Sequence, residues 1–247
     1  MAHKLRALSS MSYVGLFISV ACALAAAASG LGHRWGLWHF STGFQVFKTA
    51  AIIALISVAV SMAGGLFALR DASRLKTLCA ALGVALGFIV AGFLHAHMQI
   101  ARRVPKIHDI ATDTQNPPAF QAVLPLRKGA KNPPAYEGAR IARLQNKAYP
   151  DVKPLTFQTS KEEVFRRALD AARAMGWHVV SSELPEGRIE AYDTTFWYGF
   201  IDDIVIRITS GSGTTRLDIR SKSRVGVGDI GENARRIRGF FEKLKIR

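Results

Sequence analysis

The chain has 247 residues and a formal charge of +15, with 49% apolar residues, 21 Gly, 9 Pro and 2 Cys. That length admits one or two domains, and the composition excludes a disulfide scaffold, a collagen-like repeat and a disordered polyelectrolyte. The averages conceal two unlike halves: residues 1–100 hold 7 Lys/Arg and a single acid, Asp71, whereas residues 101–247 hold 26 Lys/Arg and 17 Asp/Glu.

Residues 1–100 read as a three-span transmembrane region. Ala7–Gly32 is uncharged over 26 residues, Thr49–Leu69 over 21 and Thr77–Ile100 over 24. At 1.5 Å rise per residue even the shortest reaches about 31 Å, enough for a roughly 30 Å hydrocarbon core. Small residues over Ala23–Ser29 mimic a signal-peptidase site, but the apolar stretch is longer than a signal peptide's, so an uncleaved anchor is expected. Lys4 and Arg6 before the first span, and Arg70, Arg74 and Lys76 between the second and third, place those segments in the cytoplasm. The loop between the first two spans offers only Arg34 and Lys48, with Trp35 and Trp38 suited to an interface. Three crossings then put residues 101–247 outside the cytoplasm. Ser57, Ser61 and Gly65, and Gly83, Gly87 and Ala91, let helix backbones approach closely. Packing within one chain is expected, and a homo-oligomer seam is the alternative. No acid lies in any span, and His95 and His97 sit at the outer end of the third, so a transporter has little to work with. Cys22 and Cys79 fall in the spans, and a cysteine-free remainder excludes zinc fingers and thiol catalysis there.

Residues 101–158 hold eight of the nine prolines, from Pro105 to Pro154. They form neither one long helix nor a central strand. A short helix over Ala135–Lys147 is expected. Ile107, Ile110, Phe120, Val123, Leu124, Ile141, Leu144 and Tyr149 suggest a wrapping segment that packs on the C-terminal core. That core, residues 159–247, is of the α+β class. Ser160 and Glu163 make a capping box, Val164, Ala168, Ala171 and Met175 the buried stripe, and Gly176 the stop. Strands come next at Trp177–Ser182, Arg188–Phe200, Ile204–Thr209 and Thr214–Lys222, the last two joined by a turn over Ser210–Gly213. In Thr214–Lys222, Leu217 and Ile219 alternate with Arg216, Asp218 and Arg220, which predicts one wet face. Asp229 and Glu232 have N-cap and N3 spacing for a final helix whose stripe is Ala234, Ile237, Phe241 and Leu244. The order α-β-β-β-α implies an antiparallel sheet with helices on one face.

The runs IHDIATDTQNPPAF (Ile107–Phe120), YPDVKPL (Tyr149–Leu155), TTFWYGFIDDIVIRI (Thr194–Ile208) and SKSRVGVGDIGENARRIRGF (Ser221–Phe240) resemble the family catalogued as domain of unknown function 1499. The landmarks span about residues 105–245 in order, and relatives with a multi-span N-terminal region are similar in layout. Other branches carry a Cys-containing motif where this chain has His108 and Asp109. The resemblance implies an extracytoplasmic domain of a bacterial envelope protein and supplies no activity.

Two classes of function remain. The first is a binding or structural module for an anionic envelope partner: lipid, polymer or protein. Its expected site is Arg224–Arg236, where Gly226, Gly228 and Gly231 permit close backbone approach before a helix start. Asp229 and Asn233 lie in the same turn, and Arg224, Arg235 and Arg236 add charge. The competing account of these residues has Asp229 cap the helix and Arg224 pair with Asp202 or Asp203. The second class is an envelope hydrolase using His108 and nearby acids. His108, Asp109 and Asp113 are weak metal candidates, since no spacing matches a closed zinc site. Asp202 and Asp203, adjacent in a strand, point to opposite faces and make no acid–base pair. No nucleotide or nucleophile-elbow motif occurs, so no cofactor is expected. Nucleic acid is not expected, for want of a reading motif and of access.

Overall fold

The computed structural model describes residues 2–211 and 213–245. The chain divides into two compact units, the first Met1–Ile100 with Phe196–Gly199, the second Ala101–Thr195 with Phe200–Arg247.

The first unit is helical: α1 (Ala2–Ser9), α2 (Met11–Arg34), α3 (Phe40–Arg70) and α4 (Arg74–Arg103). Three helical stretches, His3–Arg34, Phe40–Arg70 and Arg74–Arg103, are long and apolar enough to cross a membrane. Phe17, Leu24, Ile56 and Ile89 stand exposed on their outer surfaces, as lipid-facing residues would. Small residues line the inside. A Cβ at Gly64 would lie 2.3 Å from Ser12 N, and one at Gly15 would lie 2.2 Å from Ser61 Oγ. Ser19 Oγ is hydrogen-bonded to Ser57 Oγ at 2.7 Å and donates to Gly83 O at 2.8 Å, satisfying polar groups between helices. In α3 both Gly43 and Gly64 are buried, while Gly65 is only half-buried. Ser12, Gly15 and Ser19 of α2 supply the facing surface.

The second unit is an antiparallel sheet with helices. In chain order come β1 (Asp109–Ala111), a 3-10 turn (Leu124–Arg127), α5 (Ala139–Ala148), β2 (Leu155–Phe157), α6 (Lys161–Ala174), β3 (His178–Glu183), β4 (Arg188–Thr194), β5 (Ile201–Gly211), β6 (Thr214–Ser223) and α7 (Glu232–Lys245). The six-stranded sheet runs β1-β6-β5-β4-β3, with β2 also paired to β6. Ser160 Oγ accepts from Glu163 N at 3.2 Å and opens α6. Gly176, at φ +77, follows its end, a backbone conformation that favours glycine.

Two strand expectations need correction. The aromatic run does not continue to Phe200 as a strand, because β4 ends at Thr194. Thr195 N donates to Phe200 O at 2.8 Å, closing a turn, and Gly199 takes φ +67. The turn expected over Ser210–Gly213 starts later, because β5 runs on to Gly211, and Ser212 lies outside the described residues.

Alternation splits the sheet into two faces. Ile189 and Ala191, Ile204, Ile206 and Ile208, and Leu217 and Ile219 meet α6 and α7 in the main core. The opposite face of β6 is wet, as expected, only at Arg216, and the rest of it is covered. Asp218, Arg220 and Lys222 are at most 2% exposed. Residues 113–137 lie over them: Arg220 donates to Pro118 O at 3.1 Å and Pro134 O at 2.9 Å. Phe120 and Val123 pack on Val205 from the same side. Of the apolar residues singled out in 105–155, Leu124 and Leu144 stand exposed.

Candidate functional site

The covered sheet face carries a layer of buried charge. Burying an ion costs several kcal/mol unless a partner and hydrogen bonds offset it, and here the partners are present. Asp109 of β1 receives Arg220 Nε at 2.8 Å and Lys222 Nζ at 2.9 Å. Asp203 of β5 receives Arg224 at 2.7 Å and also pairs with Arg127. Asp218 holds Arg207 at 3.1 Å and Arg216 at 3.0 Å. Glu190 accepts the backbone amides of Gln121 and Val123. Burial pulls Arg127 below its usual range, against the attraction of Asp203. The Tyr136 phenol is pushed up to about 12, by burial first and then by Asp109.

The helix-side face holds a second, smaller set. Arg236 of α7 donates to Asp202 at 2.7 Å and Asp193 at 3.1 Å. Asp202 and Asp203 thus serve opposite faces of β5, each in its own ion pair. Burial pushes the Asp202 carboxyl up, against the pull of Arg236. Asn233 is fully buried. Its side chain accepts from Ser221 Oγ at 2.6 Å and donates to His108 O at 3.2 Å.

These pairings assign roles to the nominated residues of Arg224–Arg236. The guanidiniums of Arg224 and Arg236 are committed to Asp203 and to Asp202 with Asp193. The Asp229 carboxylate sits over the start of α7, accepting from Gly231 N at 2.9 Å and Asn233 N at 2.8 Å. It stands three residues before the first helical residue, Glu232, rather than next to it, and Gly231 with φ +79 makes the intervening turn. Arg235 is exposed and pairs with Glu232 at 2.5 Å. A Cβ at Gly228 would come within 3.2 Å of Lys106 Cα, so this loop lies against the segment leading into β1.

His108, Asp109 and Asp113 do not converge. Asp109 belongs to the buried layer. Asp113 accepts the amides of Gln115 and Asn116 and pairs with Arg216 at 2.9 Å. Among the described residues no group of three or more His, Cys, Asp or Glu could hold a metal ion. His108 is 8% exposed. Its Nε2 lies 2.8 Å from Glu137 Oε1, without the alignment a hydrogen bond requires, and among the described residues Nδ1 has no partner. Glu137 also accepts from Lys222 Nζ at 3.1 Å, which ties the imidazole to the charge layer.

His108 opens onto a cleft of about 230 Å³ whose walls include Lys106, Asn132, Glu137, Arg140 and Gly226. Asn132 secures one wall by donating from Nδ2 to Ser223 O at 3.0 Å and Gly226 O at 2.9 Å. Glu137, Arg140 and Ile141 bring the first turn of α5 to the opposite wall. No side chain caps that turn, Gly138 occupies the N-cap, and no acid lies in it. Sequence reasoning overlooked Lys106 and Asn132, which stand among prolines with no periodic signal, and Glu137 and Arg140, which fall in the helix expected over Ala135–Lys147 but in no motif. Gly226 and Val227 of the cleft belong to the segment Arg224–Arg236 that it nominated.

Residues 109–244 match the model of a family described as a protein of unknown function, DUF1499, and the chain belongs to that family. No curated protein and no solved structure matches the chain.

Proposed function

We propose that this DUF1499 member is a multi-pass protein of the bacterial inner membrane whose domain beyond residue 100 is periplasmic and binds an anionic envelope partner. Three apolar helices support the membrane location, and the five basic residues flanking the inner loops against two in the outer loop support the orientation.

One observation carries the binding role. The acids of the sheet domain are largely engaged in internal pairs, while the basic face of α5 is left over. Arg140, Arg143 and Lys147 are all exposed, follow helical spacing, and have no carboxylate partner among the described residues. In this reading Arg224 and Arg236 hold the adjoining loop in place from beneath. A hydrolase built on His108 finds less support, because Asp109 and Asp113 are occupied by basic side chains.

The test uses the full chain held in zwitterionic nanodiscs and presented to phosphatidylglycerol vesicles. Retention should fall steeply as salt rises, since exposed charge contacts are screened, and Arg143→Gln with Lys147→Gln should weaken it severalfold. Equal retention on phosphatidylcholine vesicles would overturn the binding role. A phosphatase reporter at the C-terminus that stays inactive, while a cytoplasm-dependent fluorescent reporter glows, would overturn the orientation.

A further inference from the structure

We propose that the cleft between His108 and the first turn of α5 is a site for a single phosphate group. This deepens the reading of an anionic partner and rests on it. Three independent features converge there. The first is the start of a ten-residue helix, α5, with no side-chain cap and no acid in its first turn, so that free N–H groups and the positive end of the helix dipole face the cleft. The second is a pair of cations on the cleft wall, Lys106 and Arg140, both exposed and neither in an ion pair among the described residues. The third is His108, which lines the cleft, is nine-tenths buried and has no hydrogen-bond partner for Nδ1 among the described residues.

The chemistry favours phosphate over other anions. Two free cations suit a phosphate, which carries about −1.5 to −2 charges as a monoester and about −1 as a diester, and several acceptor oxygens match donors arriving from a helix turn, a guanidinium and an ammonium. A carboxylate would leave part of that donor set unused. Glu137 would repel an anion if it stood alone. Its Oε1 is instead drawn to Lys222 Nζ and His108 Nε2, and the charge it brings to the floor is balanced there. At about 230 Å³ the cleft is smaller than the roughly 300–1,000 Å³ of pockets that enclose drug-sized ligands. It suits a headgroup-sized fragment and not an acyl chain.

The experiment titrates inorganic phosphate into the full chain in detergent micelles, following heat and the ring resonances of His108. Saturable binding is expected, with displacement by sulfate and not by acetate. Lys106→Gln with Arg140→Gln, both at exposed positions where folding is not at risk, should weaken it at least tenfold. Arg173→Gln, at an exposed position on α6, should leave it unchanged. Glycerol 3-phosphate and the diester glycerophosphoglycerol separate the sources. Tighter binding of the diester supports a lipid headgroup, and tighter binding of inorganic phosphate or the monoester supports a soluble phosphate. An absent titration, acetate competing as well as sulfate, or a Lys106/Arg140 double variant that binds like the parent would overturn the site. If the site fails while salt-sensitive vesicle retention persists, the broader reading stands without it. If retention is lost as well, both fall.

Discussion

The Arg127–Asp203–Arg224 cluster permits a sharp test of whether the charge layer is structural. Asp203 is fully buried, and its two partners have side chains 4% and 13% exposed. Arg224→Gln removes the guanidinium contacts to Asp203 and a 2.7 Å bond to Leu126 O. Asp203 keeps Arg127, so the loss should be about 2 kcal/mol, in the range of charge-assisted hydrogen bonds. That falls short of the roughly 3–5 kcal/mol of an orphaned buried charge. Arg127→Gln should behave alike. The double variant strands Asp203 and should exceed the sum of the singles, and adding Asp203→Asn should then recover much of the loss by removing the stranded charge. Amide hydrogen exchange of β5 and β6 in the full chain in micelles reads this directly. A loss of about 2 kcal/mol speeds exchange roughly 30-fold. If Arg224→Gln exchanges no faster than Arg235→Gln, or if Asp203→Asn fails to rescue the double variant, the cluster is not structural.

Other contacts give three further expected outcomes. Asp229→Ala should cost about 1 kcal/mol through loss of the bonds to Gly231 N and Asn233 N, seen as roughly fivefold faster exchange in the first turn of α7. Arg238 holds the Asp151 carboxyl below its usual range through a hydrogen bond. That pair's contribution is therefore present above the unfolded value and lost as pH falls through the lowered one. Being half exposed, it is worth only ~0.5 kcal/mol after screening, and Asp151→Asn should flatten the acid limb of a stability–pH curve by that amount. In the helical unit, Gly64→Val forces a Cβ to within 2.3 Å of Ser12 N and should cost about 1–3 kcal/mol, lowering the temperature at which the protein aggregates in detergent. Gly92→Ala, with nothing within 4 Å, should leave that temperature unchanged.

Periodic signals were legible in the sequence wherever one physical effect dominates. Three apolar stretches marked the long helices, Ser160 marked the start of α6, and the isoleucines of β5 marked a strand. The chain was misread where two effects compete. Arg216, Asp218 and Arg220 alternate with Leu217 and Ile219 as in a half-wet strand, because alternation reports which side is polar and says nothing of what covers it. The covering segment, 113–137, is rich in proline and has neither period, so no local pattern announces it. The same holds for β1 and β2, each of 3 residues, which owe their state to pairing with β6. The competing account of Arg224 was available from sequence, since a charge beside two strand acids needs a partner. The cleft was not, because Lys106 meets Glu137 and Arg140 only when residues 113–137 fold over the sheet.

The buried layer also bears on why this sheet adopts one register. With an apolar core on both faces, a one-residue slip between β5 and β6 would exchange one greasy surface for another. Here the two faces differ in kind. A slip of β6 would turn Asp218, Arg220 and Lys222 toward the isoleucines under α6 and α7, leaving each charge without its partner, and would set Leu217 and Ile219 among carboxylates. Side-chain period in a strand is two, so every residue is misplaced at once. Ion pairs of this kind add little net stability over well-packed apolar residues, and their effect lies in the penalty for the wrong arrangement. Asp109 extends that logic to the covering segment. Through Arg220 and Lys222 it binds β1 to β6, and Lys222 reaches on to Ala135 O at 2.9 Å and to Glu137. The wall of the phosphate cleft is therefore set by the same charges that fix the sheet, and a defect in Asp109 should disorder the cleft and the register together.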